Sequence, residues 1–318
     1  MKNTVSGKIL KGVGGLYTVK VTSKDSEFFG STLRCRARGS FRHNNLTPLS
    51  GDLVILALDE SNAKKQKDES DFVIDEIVDR KNSLIRPSMA NLDFLFVTMA
   101  AASPTPILST ADKLISIAEH NGIEPIVVVT KCELDEAEAA RIKDIYERCN
   151  IKCFCLSAQE NTGVCEIEEF IAQNMSGKTA AFAGASGIGK STLINRLFPE
   201  LDLSTAQISR KIERGRHTTR SVELFPTSQS EDCGYIADTP GFSLIDFNRF
   251  DFFEKDDLVY TMREFDQYIG KSRYTKCSHT KEEGCAIVEA VADGEIPRSR
   301  HESYIEMFEI LKTRKKWD

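Results

Sequence analysis

The nine residues GASGIGKST, Gly184–Thr192, constrain this chain more than any other stretch. They fit G-x-x-x-x-G-K-[ST], a loop whose backbone N–H groups close on phosphate oxygens. Such a loop works between a buried strand and a helix N-terminus, where amides converge and the helix dipole favours an anion. Both flanks are present: KTAAFAG is an apolar run of strand type, and KSTLINRLF has helical spacing. The chain must therefore contain an α/β layer. Within the loop, Gly184, Gly187 and Gly189 let the backbone approach a phosphate, and Ala185, Ser186 and Ile188 add further amides. Lys190 supplies charge to the outer phosphates, the Ser191 hydroxyl is a ligand for Mg²⁺, and Thr192 completes the motif.

The surroundings extend that layer. From about Arg80, apolar runs (LDFLFVTMA, EPIVVVTK, IKCFCLS) alternate with helical patterns (TADKLISIAEHNG, DEAEAARIKDIYERCN, VCEIEEFIAQN). Continuous apolar strands separated by helices predict a doubly wound sheet over residues 81–245, reaching through VELF and CGYIADTPG. Residues 1–80 read differently. SGKIL, GLYTVKV, TLRCRAR, DLVILAL and DFVIDEIV are five short runs with period-two character, which suits a small all-β barrel of OB type. The charged ESNAKKQKDES is expected to be an exposed hairpin loop. Residues 246–318 turn helical and polar, with Tyr304, Met307, Phe308 and Leu311 at helical spacing for packing. The predicted fold is thus multidomain: an N-terminal barrel, a central α/β domain and a C-terminal helical part.

Charge and cysteine usage exclude some classes. No apolar run is long enough to span a bilayer, and MKNTVSGKIL has no signal-peptide core, so a cytoplasmic protein is expected. Nine cysteines, an odd number, argue against a disulfide framework; Cys153 and Cys155 read as small core residues of a strand. The net charge of −6 does not by itself suggest nucleic acid, but LRCRARGSFRH carries Arg34, Arg36, Arg38, Arg42 and His43. That stretch is either a solvated face or a phosphate contact. Nearby, Phe28, Phe29 and Phe41 either pack or stack on bases. Nothing demands more than a monomer.

The choice of base lies upstream of the phosphate loop. DTPG, Asp238–Gly241, ends the next strand, where Asp238 can hold the Mg²⁺ shell and the Gly241 N–H can meet a γ-phosphate. Between loop and DTPG, GRHTTR offers Thr219, favoured over Thr218, to close on Mg²⁺. Downstream there is no Asn-Lys-x-Asp base motif. Upstream, Thr130, Lys131, Cys132 and Glu133 end a buried strand and form its Thr-Lys-x-acid variant. The Lys131 stem can pack on a purine face, and Glu133 can accept from the N1–H and 2-amino groups of guanine. Ser157 and Ala158 end the next strand, and the Ala158 N–H can donate to guanine O6. The parts are complete in rotated order, which is a circular permutation.

With that order, GGLYTV, RKNSLIRPSMANLD, GRHTTR, ADTPGFS and CSHTKEEGCAI resemble the ribosome small-subunit-dependent GTPase family, the circularly permuted ribosome-biogenesis GTPases of bacteria, over nearly the whole chain. The resemblance implies GTP and GDP as ligands, Mg²⁺, and a late role in small (30S) subunit maturation. It also implies hydrolysis stimulated by that subunit and contacts to its rRNA through the barrel and the C-terminal part. Three positions depart from the family or stay open. Glu133 stands where the family has Asp. The family's Cys-x₄-Cys-x-His-x₅-Cys zinc pattern is met by Cys277, His279 and Cys285, but Ser272 holds the first position, with water, Glu282 or Glu283 able to fill it; the alternative is a site held by packing without Zn²⁺. Phe242 follows DTPG and cannot orient water, so His217 is the candidate catalytic residue; its other reading is a residue that shapes the switch loop or touches rRNA.

Overall fold

The computed structural model describes residues 4–43, 46–58, 70–84, 87–199, 222–228, 230, 232–238 and 254–313. The loop expected over ESNAKKQKDES lies almost wholly outside them. The chain divides into two compact units, one formed by residues 1–93, 174–181 and 200–241, the other by 94–173, 182–199 and 242–318.

The first unit is built on a closed five-stranded barrel. β1 (Thr4–Val13), β2 (Leu16–Val21) and β3 (Thr32–Ala37) form an antiparallel meander. β5 (Phe72–Ile77) pairs parallel to β3 and antiparallel to β4 (Leu53–Leu58), and β4 returns to β1. β1 can serve two partners because it bends: Gly7–Val13 face β2, Thr4–Lys8 face β4, and the register shifts after Ile9. Gly7 is required at the crossing, since a Cβ there would sit 2.5 Å from Val19 Cγ1. Alternation sends Ile9, Val19, Cys35, Leu56 and Ile74 inward, each fully buried. Phe41 joins that core and Phe28 packs edge-on against Phe72, which settles both as packing residues.

Two short strands, β6 (Ser83–Leu84) and β7 (Met89–Ala90), follow the barrel as a hairpin. The same unit holds most of β11 (Thr179–Ala183), with β12 (Glu223–Pro226) and β13 (Tyr235–Asp238). β11 and β13 are parallel, β13 and β12 antiparallel, and β12 meets β1 at Lys11 and Glu223. Here the Lys8 side chain is buried. Its ammonium donates to Thr179 Oγ1 at 2.7 Å and lies 4.5 Å from the Tyr235 ring centroid. Burial lowers its pKa to about 8.

The second unit holds parallel strands β8 (Phe94–Ala100), β9 (Glu124–Thr130) and β10 (Cys153–Cys155). Helices α1 (Leu108–His120), α2 (Glu136–Arg148) and α3 (Val164–Asn174) alternate with them as the periodicity requires. Asp135 starts α2 by accepting from the Glu138 N–H at 2.9 Å. The C-terminal part has 3₁₀ turns at Leu258–Thr261 and Arg263–Tyr268, then α5 (Ala286–Ala292) and α6 (Arg298–Thr313); α4 (Lys190–Leu197) belongs to the phosphate loop. Tyr304, Met307, Phe308 and Leu311 are buried, as their spacing predicts. Deeper still, Arg300 on α6 is 1 % exposed and donates to Glu264 Oε1 at 2.7 Å and to Asp112 of α1. Tyr146 OH donates to the same Asp112 carboxylate at 3.0 Å. Arg263 adds pairs with Glu119 and Glu124.

Candidate nucleotide site and metal cluster

The phosphate loop leaves the end of β11, where Phe182 stacks on Phe96 at 4.7 Å between ring centroids. Gly184 has φ +142°, and a Cβ on it would lie 2.2 Å from Thr98 O, so only glycine lets the chain turn here. Gly187 and Gly189 also have positive φ, and Gly189 opens α4. Ala185, Ser186 and Gly187 are exposed, Ile188 is buried beneath them, and Ser191 and Thr192 stand on the first turn of α4. Lys190 Nζ donates to the carbonyls of Gly184 at 2.6 Å and Ala185 at 2.7 Å. Burial holds its pKa below the usual lysine value.

The segments expected to read the base meet this loop. The Thr130 hydroxyl lies 3.1 Å from Met99 O and donates to Ile188 O, which pins the end of β9 to the phosphate loop. Lys131 adopts φ +56° and spans the gap: its ammonium donates to Gly187 O at 2.8 Å and to Ser103 O. Cys132 N–H donates to Leu156 O at 3.3 Å, beside Ser157 and Ala158. Ser157 is held by a paired turn with Thr162, which leaves Ala158 half-exposed. Glu133 is the informative side chain. Its Oε2 is buried and takes no hydrogen bond among the described residues. An unmet buried carboxylate oxygen is costly, and two N–H donors of a guanine edge are the partners it suits. The site thus fits a guanine nucleotide.

Sequence reasoning did not find two supports of this site. Arg196 on α4 donates twice to Asn161 Oδ1, at 2.6 and 3.1 Å, tying the phosphate helix to the loop after Ala158. Ser103 O, on the loop after β8, anchors Lys131. In the sequence, the turn-forming Asn161-Thr162-Gly163 and the Pro-rich SPTP mark these two loops. Of the remaining expected residues, Asp238 ends β13 in backbone terms. His217, Thr219 and Gly241 lie outside the described residues.

In the C-terminal part, the ligand atoms of Cys277, His279 and Cys285 lie within 4.8 Å of one another, close enough to hold a metal ion. Ser272 Oγ stands at the same place: it lies 3.6 Å from Cys285 Sγ and accepts from the Ala286 N–H at 3.2 Å. Glu282 is not a fourth ligand. Burial alone would raise its pKa, but it accepts from Ser278 Oγ and from the N–H groups of Ser278, Thr280 and Lys281, and these hold it at about 2. α6 carries the cluster loop, with His301 donating to His279 O at 2.7 Å and Tyr304 to Ser278 O at 2.9 Å. Burial lowers the His279 pKa, which favours the neutral ring that metal binding requires.

Thr130–Glu133 precede the phosphate loop in the chain yet meet it in space, the order of a circularly permuted P-loop GTPase. A model of the RsgA GTPase family matches residues 77–248, and one of the RsgA N-terminal domain matches residues 6–63. A Bacillus velezensis protein named small ribosomal subunit biogenesis GTPase RsgA is 37 % identical, covering 97 % of this chain and 98 % of its own. A Clostridium botulinum protein of the same name is 34 % identical, covering 98 % and 100 %. Among solved structures, YjeQ from Thermotoga maritima aligns with a TM-score of 0.78 at 29 % identity, over 98 % of this chain and all of that one. YloQ, described as a circularly permuted GTPase, aligns with a TM-score of 0.74 at 31 % identity, over 98 % and 96 %. The chain belongs to the RsgA GTPase family.

Proposed function

We infer that this GTPase acts in late maturation of the small (30S) ribosomal subunit, hydrolysing GTP to GDP and phosphate at a rate that the subunit stimulates. The family and the names of its relatives support the ribosomal role. The choice of GTP rests on one observation, the buried, unmet Oε2 of Glu133 beside a complete phosphate loop.

In this reading Thr130, Lys131, Cys132 and Glu133, with Ser157 and Ala158, hold the base. Gly184 to Thr192 hold the phosphates, joined by Asp238 and the Gly241 N–H. Ser191 and Thr219 would ligate Mg²⁺, and Asp238 its water shell; bound there, the ion neutralises charge on the β- and γ-phosphates. Water attacks the γ-phosphorus in line and the bond to the bridging oxygen breaks. His217 orients that water, since Phe242 cannot. Cys277, His279 and Cys285 would hold Zn²⁺ as a structural ion, with Ser272 or a water at the fourth position. A neutral serine is a weaker ligand than thiolate, so the affinity falls below that of a Cys₃His site. The barrel and the C-terminal part contact rRNA, and the protein works as a cytoplasmic monomer; among the described residues no helix is long and apolar enough to cross a membrane.

GTP turnover with and without purified small subunits, at low and high salt, tests this. Stimulation that high salt abolishes is expected. Tight GTP binding without stimulation would overturn the coupled enzyme in favour of an assembly factor that binds nucleotide without hydrolysing it.

A further inference from the structure

Three thiols converge where the two base-reading segments touch. Cys155 ends β10, in register with Val129 of β9. Cys132 follows Lys131, and its N–H bonds to Leu156 O, next to Cys155 in the chain. Cys132 Sγ lies 3.3 Å from Val129 O, the carbonyl that also accepts from the Leu156 N–H at 2.9 Å, and Cys155 Sγ lies 3.5 Å from Ala139 O of α2. Cys132 and Cys155 are half-buried, whereas Cys153 is 4 % exposed.

We propose that Cys155 and Cys132 are a peroxide-sensitive thiol pair whose disulfide ties the two base-reading segments together and lowers affinity for guanine nucleotides, an inference that rests on reading these segments as the base pocket. The neighbouring thiols of Cys132 and Cys153, aided by Lys143, hold the Cys155 thiol below the usual thiol range despite its burial. The thiolate is the nucleophile. Cys155 sulfur attacks a hydroperoxide, an S–O bond forms, the O–O bond breaks, and hydroxide leaves to take up a proton as water. Cys132 sulfur then attacks the sulfenic acid; the S–S bond forms, the S–O bond breaks, and the departing oxygen leaves as water with the Cys132 proton. Two thiols lose two electrons, and hydrogen peroxide is reduced to two waters.

Cys132 is the resolving partner for a geometric reason. Cys153 and Cys155 lie two apart on one extended strand, roughly 6.6 Å between Cα atoms at ~3.3 Å per residue, near the upper limit for a disulfide. Both are also fixed by pairing with β9. Cys132 stands in a 3₁₀ turn outside that ladder, so a cross-link to Cys155 draws on Lys131 and Glu133, its neighbours on either side.

The test treats the full-length protein with hydrogen peroxide and measures affinity for a fluorescent GDP, with peptide mapping by mass spectrometry. A Cys132–Cys155 cross-link is expected, with affinity at least about tenfold weaker and restored by dithiothreitol. Cys155→Ser should bind nucleotide normally and resist peroxide, and Cys153→Ser should still form the cross-link. A cross-link that leaves affinity unchanged, or a loss of affinity without this cross-link, overturns the proposal. Mapping the native protein decides the point even if a variant misfolds. Failure of the untreated protein to bind guanine nucleotide would instead overturn the reading of the pocket.

Discussion

At Glu133 the sequence and the structure reinforce each other. The tetrad Thr130–Glu133 points to a base-reading acid, and the structure leaves one oxygen of that acid buried and unmet. Glu133→Ala should weaken GTP binding by about 1.5–3 kcal/mol, the range for hydrogen bonds to a charged group, or roughly 10- to 150-fold. ATP binding should not change, and competition against fluorescent GDP reads both. Equal competition by ATP and GTP in the native protein would sink the assignment. Lys8 carries a different residue-scale prediction. Its folded pKa is about 8, against 10.5 for the ordinary side chain, because burial disfavours the charge. Between those values the unfolded chain binds more protons than the folded one, so stability rises with pH across that window. A shift of that size corresponds to about 3 kcal/mol. Urea unfolding at several pH values should show this rise in the native protein and its loss in Lys8→Met. Parallel pH profiles for the two would refute it. The alternation of β1 was legible in SGKIL; the destination of its lysine, among β11 and β13, was not, because Thr179 lies 171 residues away and Tyr235 farther still.

Elements with a local cause were read well. The phosphate loop was legible because its glycines answer to backbone geometry, Gly184 above all, and α2 because Asp135 caps it. The helical spacing of α6 was likewise plain, but the reason it stays docked on α1 was not. Arg300 is joined to Asp112, 188 positions away, and to Glu264, 36 away, and no periodicity marks an arginine as buried. Burial raises the Asp112 pKa while Arg300 opposes it. Removing the cation leaves two buried carboxylates without their counter-charge. Arg300→Met should therefore cost about 3–5 kcal/mol in urea unfolding, the usual effect of breaking a buried pair from one side. A loss below about 1 kcal/mol would mean that apolar packing of Tyr304, Met307 and Leu311 alone retains the helix. The cluster loop follows the same division. Cys277, His279 and Cys285 were legible through the family's pattern, whereas Glu282, a candidate ligand in sequence, is committed to the N–H groups of its own turn.

For the whole molecule the question is how a chain of net charge −6 associates with a polyanion. Sign must be distributed rather than summed. On the barrel unit, Lys11, Thr18, Arg34, Arg36 and Glu223 line a cavity of about 540 Å³, with Lys11 paired to Glu223. Arg34 and Arg36 alternate along β3, so both face the same side of the strand. If this surface meets rRNA phosphates, each cation that neutralises one releases counterions and steepens the fall of affinity with salt. Arg34→Glu combined with Arg36→Glu should then weaken binding to small subunits. It should also flatten the slope of log affinity against log salt by roughly 1–2, at ~0.7–0.9 for each phosphate no longer neutralised. GTP turnover without subunits should stay unchanged, because neither arginine belongs to the nucleotide site. Salt-titrated binding of the double variant and the native protein to purified subunits measures both quantities. An unchanged slope with native affinity would place the electrostatic contact elsewhere on the protein, and the basic loop residues Lys271, Arg273 and Lys276 beside the Cys/His cluster would be the next to reverse.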